Sequence, residues 1–179
     1  RDIPAAAPSW ERIGFYYYLA SGQAEDFEKF KKLSQMTTKA YEKAAELYEK
    51  GNRQNKDGKA AECLAVAEYT RSWIAPSPAD KRKMLEQCVL LLRKSKKAFE
   101  ENRDKTDYGK ACILSVLAIF DLEHILSGPE ERGKVLREGI DNATQAISIF
   151  SNLKRKNDWI LALCWTSFLM GYLDSTVAL

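Results

Sequence analysis

Apolar residues recur at spacings of three and four along most of this chain, a pattern that predicts helices joined by short polar turns. Over 79–102 the stripe is Met84, Leu85, Cys88, Leu91, Leu92, Ser95, Ala98 and Phe99. Ser77 is placed to cap this helix, with Pro78 at the first helical position, where its missing N–H costs nothing. A turn over 103–108, where Thr106 or Asp107 offers another cap, leads into a second helix over 108–126. That helix carries Ala111, Leu114, Ser115, Leu117, Ala118, Leu122 and Ile125. Ser127-Gly128-Pro129 ends it, with Gly128 available for a left-handed C-terminal position. The same grammar predicts helices over 27–50 and 59–74 before this pair, and over 130–153 and 159–178 after it. At the start, Pro4 and Pro8 predict an extended lead-in over 1–8, and Ser9 caps a short helix over 10–21. Alternating strand patterns and Asn-Gly hairpins are absent, so the expected fold is all-α with about seven helices.

A shift of 51 residues lays the chain on itself. Tyr48, Phe99 and Phe150 coincide, as do Ala60, Ala111 and Ala162, while Tyr18 matches Tyr69, and Pro78 and Pro129 mark the seams. Such periodicity predicts an α-solenoid of antiparallel helix pairs, each burying its apolar face on its neighbours. The repeats run 27–77, 78–128 and 129–179 within a single repeat domain. Residues 1–26 supply the lead-in and the second helix of a truncated earlier unit. A start at Arg1 rather than Met, and a last helix without a stop signal, suggest a fragment of a longer chain. The second helices are apolar on nearly every side, notably 111–125 and 160–173, which predicts enclosure by neighbours. The terminal face around Trp165, Phe168 and Tyr172 is then expected to be covered by a further repeat or a partner. The apolar run 160–173 falls short of the roughly 20 residues that a bilayer requires, so a buried repeat helix is expected there.

Three features carry a family resemblance over about residues 27–179. An aromatic closes each leading helix (Tyr48, Phe99, Phe150). Small residues stand seven apart in the second helix (Ala60/Ala67, Ala111/Ala118), with Leu169 replacing the second in the third unit. A proline opens the next unit. The chain thus resembles the tetratricopeptide-repeat superfamily of stacked helix pairs, as a long variant. Its period is 51 rather than that family's 34, and the Trp-Leu-Gly-Tyr pattern of the leading helix is missing. The resemblance implies a binding scaffold and names no partner.

Composition narrows the chemistry. The chain is 45% hydrophobic and 30% charged, as folded proteins are, and its net charge of +3 is too small to imply a nucleic-acid partner by itself. Cys63, Cys88, Cys112 and Cys164 stand singly in apolar stretches, which predicts buried reduced thiols and a cytoplasmic, reducing compartment. The polar face of the leading helices offers groove candidates: Lys39 and Lys43, then Leu90, Arg93, Lys94 and Lys97, then Arg137 and Gln145. Lys43, Lys94 and Gln145 are equivalent positions. The basic run at 93–97 suits a carboxylate or an acidic peptide. The turns supply a second set, Arg53, Arg103, Lys105, Arg155 and Lys156, which stacking would align into a basic edge attractive to phosphates. Acidic neighbours dilute this edge, and no RNA-binding aromatic motif accompanies it. Glu42 and Glu46 read as helix-stabilising partners of Lys39 and Lys50.

The single histidine, His124, lacks a paired metal ligand or nucleophile and reads as structural. Neither a glycine-rich phosphate loop nor a convergent acid and base stands out, so no enzyme, cofactor or metal is expected. The expected function is a non-catalytic helical-repeat scaffold for protein–protein or intramolecular regulatory contacts within a larger protein. Its expected partner is a protein or peptide, an acidic one suiting the basic run, or another domain of the same chain. Two alternatives stand beside it: a basic-edge platform for nucleic acid or an anionic ligand, and a ligand-sensing regulatory domain of a signalling protein.

Overall fold

The computed structural model describes residues 3–52 and 54–177. Seven helices and no strand occupy them: α1 (Ile3–Ser21), α2 (Phe27–Lys50), α3 (Lys56–Ser72), α4 (Pro78–Glu101), α5 (Lys105–Glu123), α6 (Pro129–Asn152) and α7 (Lys156–Val177). The leading helices α2, α4 and α6 are each 24 residues long. They begin at 27, 78 and 129 and end at 50, 101 and 152, always 51 apart. The helices α1, α3 and α5 end at 21, 72 and 123, with the same spacing.

Local chemistry sets these boundaries. The Asp26 carboxylate accepts the Lys29 amide at 2.7 Å and caps α2. Ser77 Oγ accepts the Asp80 amide at 3.1 Å and donates back to the Asp80 carboxylate at 2.6 Å, so α4 opens on a reciprocal cap. The cap of α5 is Asp104, which accepts the Asp107 amide at 3.0 Å, and neither Thr106 nor Asp107 fills that role. Gly128 is not left-handed; with φ −90° and ψ 127° it is the extended residue before Pro129 at the head of α6. The left-handed positions fall on side-chain-bearing residues, Arg103 (φ 57°) and Lys154 (φ 55°), again 51 apart. Each follows a leading helix and forms the same closure. The amide of the next residue reaches back to the closing aromatic's carbonyl, Asp104 to Phe99 at 2.8 Å and Arg155 to Phe150 at 2.9 Å.

At the start, α1 begins at Ile3 and runs through Pro8, in place of an extended lead-in and a cap at Ser9. Pro8 forfeits one intrahelical bond. Ala7, beside it, is buried in a cluster with Tyr41, Ala44, Ala45 and Tyr48.

The chain forms two compact units, Arg1–Ala98 and Phe99–Leu179, divided within α4. In both, successive helices pack antiparallel on their neighbours in solenoid-like order: α1 on α2 and α2 on α3 in the first, α5 on α6 and α6 on α7 in the second. In the first unit, Tyr48 at the end of α2 shares a cluster with Ala60 and Cys63 at the start of α3. Its hydroxyl donates to Glu11 of α1 at 2.6 Å. Ser95 of α4 donates to the Gly58 carbonyl of α3 at 3.0 Å. In the second unit, Phe150 at the end of α6 packs with Cys112 and Ala162, near the starts of α5 and α7. Deeper in, Val116, Leu136, Ala143 and Leu169 form a continuing cluster. Gly139 lets the three helices close there, since a Cβ on it would lie 2.9 Å from Leu169 Cδ1 and 3.0 Å from Ile119 Cγ2.

The last helix departs from expectation in two ways. It is not a buried helix among the described residues, and Trp165, Phe168 and Tyr172, expected on its terminal face, gather instead around Phe120 of α5 at 5.6, 5.2 and 5.4 Å. Among the described side chains of α7 only Ala162 and Leu169 are buried; Ile160, Leu161, Leu163, Phe168 and Met170 are exposed. Cys164 is exposed too, whereas Cys63, Cys88 and Cys112 are free and buried. The apolar residues are there, but among the described residues nothing covers the outer side of α7. No described helix is long and apolar enough to cross a membrane.

Candidate functional site

The last turn of α4, the turn after it, the head of α5 and the C-terminal half of α6 enclose a cleft of about 460 Å³ in the second unit. Phe99, fully buried, and half-buried Ile149 supply its apolar lining. Tyr108 stands on the first turn of α5 and donates its hydroxyl to Gln145 Oε1 across the helix pair at 2.6 Å. Burial, and secondarily Cys112 and Glu100, push the Tyr108 phenol above its ordinary pKa, so it remains a donor at neutral pH. Its hold on Gln145 Oε1 leaves the Gln145 amide nitrogen as the group to offer a ligand. Ser148 and Asn152 continue that polar row one and two turns along α6.

Two cations rim the cleft, Arg103 and Lys105, both exposed. The left-handed backbone at Arg103 and the reversal it produces place both side chains at the mouth. Glu100 and Asp104 also line the cleft, but the Asp104 carboxylate is engaged in capping α5. The site therefore combines an apolar floor, amide and hydroxyl groups on one wall, and a rim where Arg103 and Lys105 stand beside the carboxylates of Glu100 and Asp104.

The structure thus brings together residues drawn from both predicted sets: Gln145 from the groove, Arg103 and Lys105 from the basic edge. The others lie elsewhere. Lys39, Leu90, Arg93, Lys94 and Lys97 are exposed on α2 and α4 of the first unit. Lys43 is paired with Glu46 at 2.7 Å; Lys50 bonds the other Glu46 oxygen, and the two lysines hold that carboxyl down to about 2. Glu42 pairs with Arg71 of α3 rather than with a lysine on its own helix. Arg137 is exposed on α6 outside the cleft, and Lys156 is exposed at the head of α7. Arg155 is held by Asp158 at 2.6 Å, with its guanidinium 5.7 Å from the centre of the Phe150 ring. Arg53 lies outside the described residues. Sequence reasoning missed Tyr108. The available signal was its departure from register, since Asp57 and Trp159 occupy the equivalent positions.

His124 Nδ1 lies 2.8 Å from the Phe120 carbonyl and 3.2 Å from Glu123 Oε2, and its ring meets Phe120 edge-on at 4.4 Å. Tyr69 and Trp73, 51 residues earlier, meet in the same edge-on way at 5.2 Å. Among the described residues no three His, Cys, Asp or Glu side chains converge as a metal site. Comparison of the chain with known protein families, curated proteins and solved structures finds no match.

Proposed function

We propose that this chain is a non-catalytic, tetratricopeptide-like binding scaffold of the cytoplasm, and that the cleft of its second unit takes a peptide through a carboxylate-bearing residue. The partner is an acidic segment of another protein, or of another domain of the same polypeptide. The observation that carries the reading is the convergence of Arg103 and Lys105 on a cleft whose inner wall is Gln145, Ser148 and Asn152. A carboxylate at the rim would meet guanidinium and ammonium donors, where charge-assisted bonds are strongest. The adjoining apolar floor suits one side chain, and the volume lies in the range of small-ligand sites. The resemblance to stacked-helix scaffolds, read from the repeat, points the same way.

Fluorescence anisotropy with a panel of labelled acidic peptides tests this. Arg103→Glu and Lys105→Glu are expected to weaken binding at least tenfold each, while the pair Arg93→Glu and Lys97→Glu leaves it unchanged. Binding lost through the second pair and kept through the first would move the site to α4 and refute the cleft.

A further inference from the structure

The internal repeat says what belongs on the bare side of α7. In α5 one face is covered by the leading helix that follows it. Gly109 lies against Phe150 and Ile149, Cys112 clusters with Ala146, Val116 with Leu136 and Ala143, and Ile119 abuts Gly139. At the end of this face, Glu123 pairs with Arg132 of α6. On the corresponding face of α3 the Gly58 carbonyl accepts from Ser95 of α4 and Ala61 and Ala65 are buried, whereas Glu68 and Ser72, at the places of Ile119 and Glu123, bond within their own helix. A further shift of 51 gives Ile160, Leu163, Ser167, Met170 and Asp174 on α7, and all five are exposed.

We propose that this face docks an amphipathic α-helix not contained in these 179 residues, one that carries a cation in its first turn. Position and chemistry both specify that occupant. The α5 copy of the face receives α6, and the α3 copy is bonded by α4. The spacing of Ile160, Leu163 and Met170 matches an apolar stripe of helical period. Asp174 stands where Glu123 takes Arg132, so the incoming helix needs Arg or Lys at its fourth position. One difference refines the match. Ile160 occupies the place of Gly109, whose bare backbone admits the Phe150 ring, so the incoming helix needs a small residue where α6 has Phe150.

The probe is therefore a synthetic peptide of residues 129–152 carrying Phe150→Ala, titrated by calorimetry against the 179-residue chain. Saturable binding is expected, reduced at least tenfold by Leu163→Glu or Met170→Glu and unaffected by Arg103→Glu in the cleft. Asp174→Lys is expected to weaken binding, and Arg132→Glu in the peptide to restore it. The mutated side chains are exposed, so circular dichroism should show each variant folded. Absence of binding, binding indifferent to Met170→Glu, or no rescue by the charge exchange would overturn the proposal. So would a concentration-dependent dimer abolished by Met170→Glu, which would assign the face to a second copy of the chain.

Discussion

Glu123, the last residue of α5, is fully buried, and Arg132 in the first turn of α6 donates Nε to its Oε1 at 2.6 Å and Nη2 to the same oxygen. The other oxygen, Oε2, is buried, with His124 Nδ1 3.2 Å away as its neighbour rather than a hydrogen-bond donor. The pair therefore neutralises a charge that water cannot reach. Removing the arginine leaves that buried carboxylate with only the His124 ring beside it, so Arg132→Ala is expected to destabilise the second unit by about 3 kcal/mol. Adding Glu123→Met to Arg132→Ala is expected to restore most of the loss. Urea denaturation of both variants checks this; a double variant no more stable than the single one would show that burial of the charge is not what matters.

Gly109 touches the ring of Phe150, and a Cβ there would lie 2.8 Å from Cζ. Alanine has the better helix propensity by about 1 kcal/mol, but the ring is walled in by the Cys112–Ala146–Ala162 cluster and cannot yield. Overpacking wins. Gly109→Ala is expected to cost about 1–2 kcal/mol, and Phe150→Leu in the same chain to cost less than it does alone, a coupling read from a double-mutant cycle of thermal midpoints.

Lys154 holds a left-handed backbone that costs a side-chain-bearing residue about 1–2 kcal/mol. Its side chain is exposed, and it does not line the cleft. Lys154→Gly is expected to stabilise the protein by about 0.5–1 kcal/mol, less than the full strain because glycine also loosens the unfolded chain. Peptide binding should be untouched. A loss of stability on denaturant titration would contradict the strain argument.

Tyr41 and Tyr48 lie in the core of the first unit, and burial raises both phenols well above their ordinary range; the bond to Glu11 raises Tyr48 further. An unfolded tyrosine ionises near pH ~10. Below that, both states hold the proton and stability is indifferent to these groups. Above it, the unfolded chain releases protons that the folded chain keeps, so stability falls by about 1.4 kcal/mol per pH unit for each tyrosine. Tyr41→Phe is expected to make the alkaline limb shallower by one such increment. Denaturation midpoints between pH 9 and 11 provide the measurement, and an unchanged slope would refute it.

Much of the fold was legible because its rules are local. Spacings of three and four gave the helices, and α2 falls on the predicted bounds. Ser77 and Pro78 marked the head of α4 through side-chain chemistry that needs no tertiary partner. The failures are tertiary. Helix α1 continues through Pro8 and packs Ala7 into the core of the first unit, a tertiary contact that no local rule anticipates. Arg103 and Lys154 adopt left-handed backbone without glycine because the closure on Phe99 and Phe150 imposes it. The cleft was half visible. Arg103, Lys105 and Gln145 were singled out in two separate sets, yet only a fold that brings the end of α4 beside α6 makes them one site. Helix α7 shows the limit most plainly: hydrophobic residues on every side say that a helix wants neighbours, not that it has them.

Isoleucine at position 160, where the preceding units have glycine, bears on self-assembly. A surface that reproduced the internal seam faithfully at its open end would invite identical molecules to queue head to tail, growing filaments without closure. The added branched side chain spoils that match at one spot, and α1 already occupies the flank of α2 that a neighbouring molecule would have to present. Ile160 thus works against a second copy of the chain stacking on this face through the repeat seam.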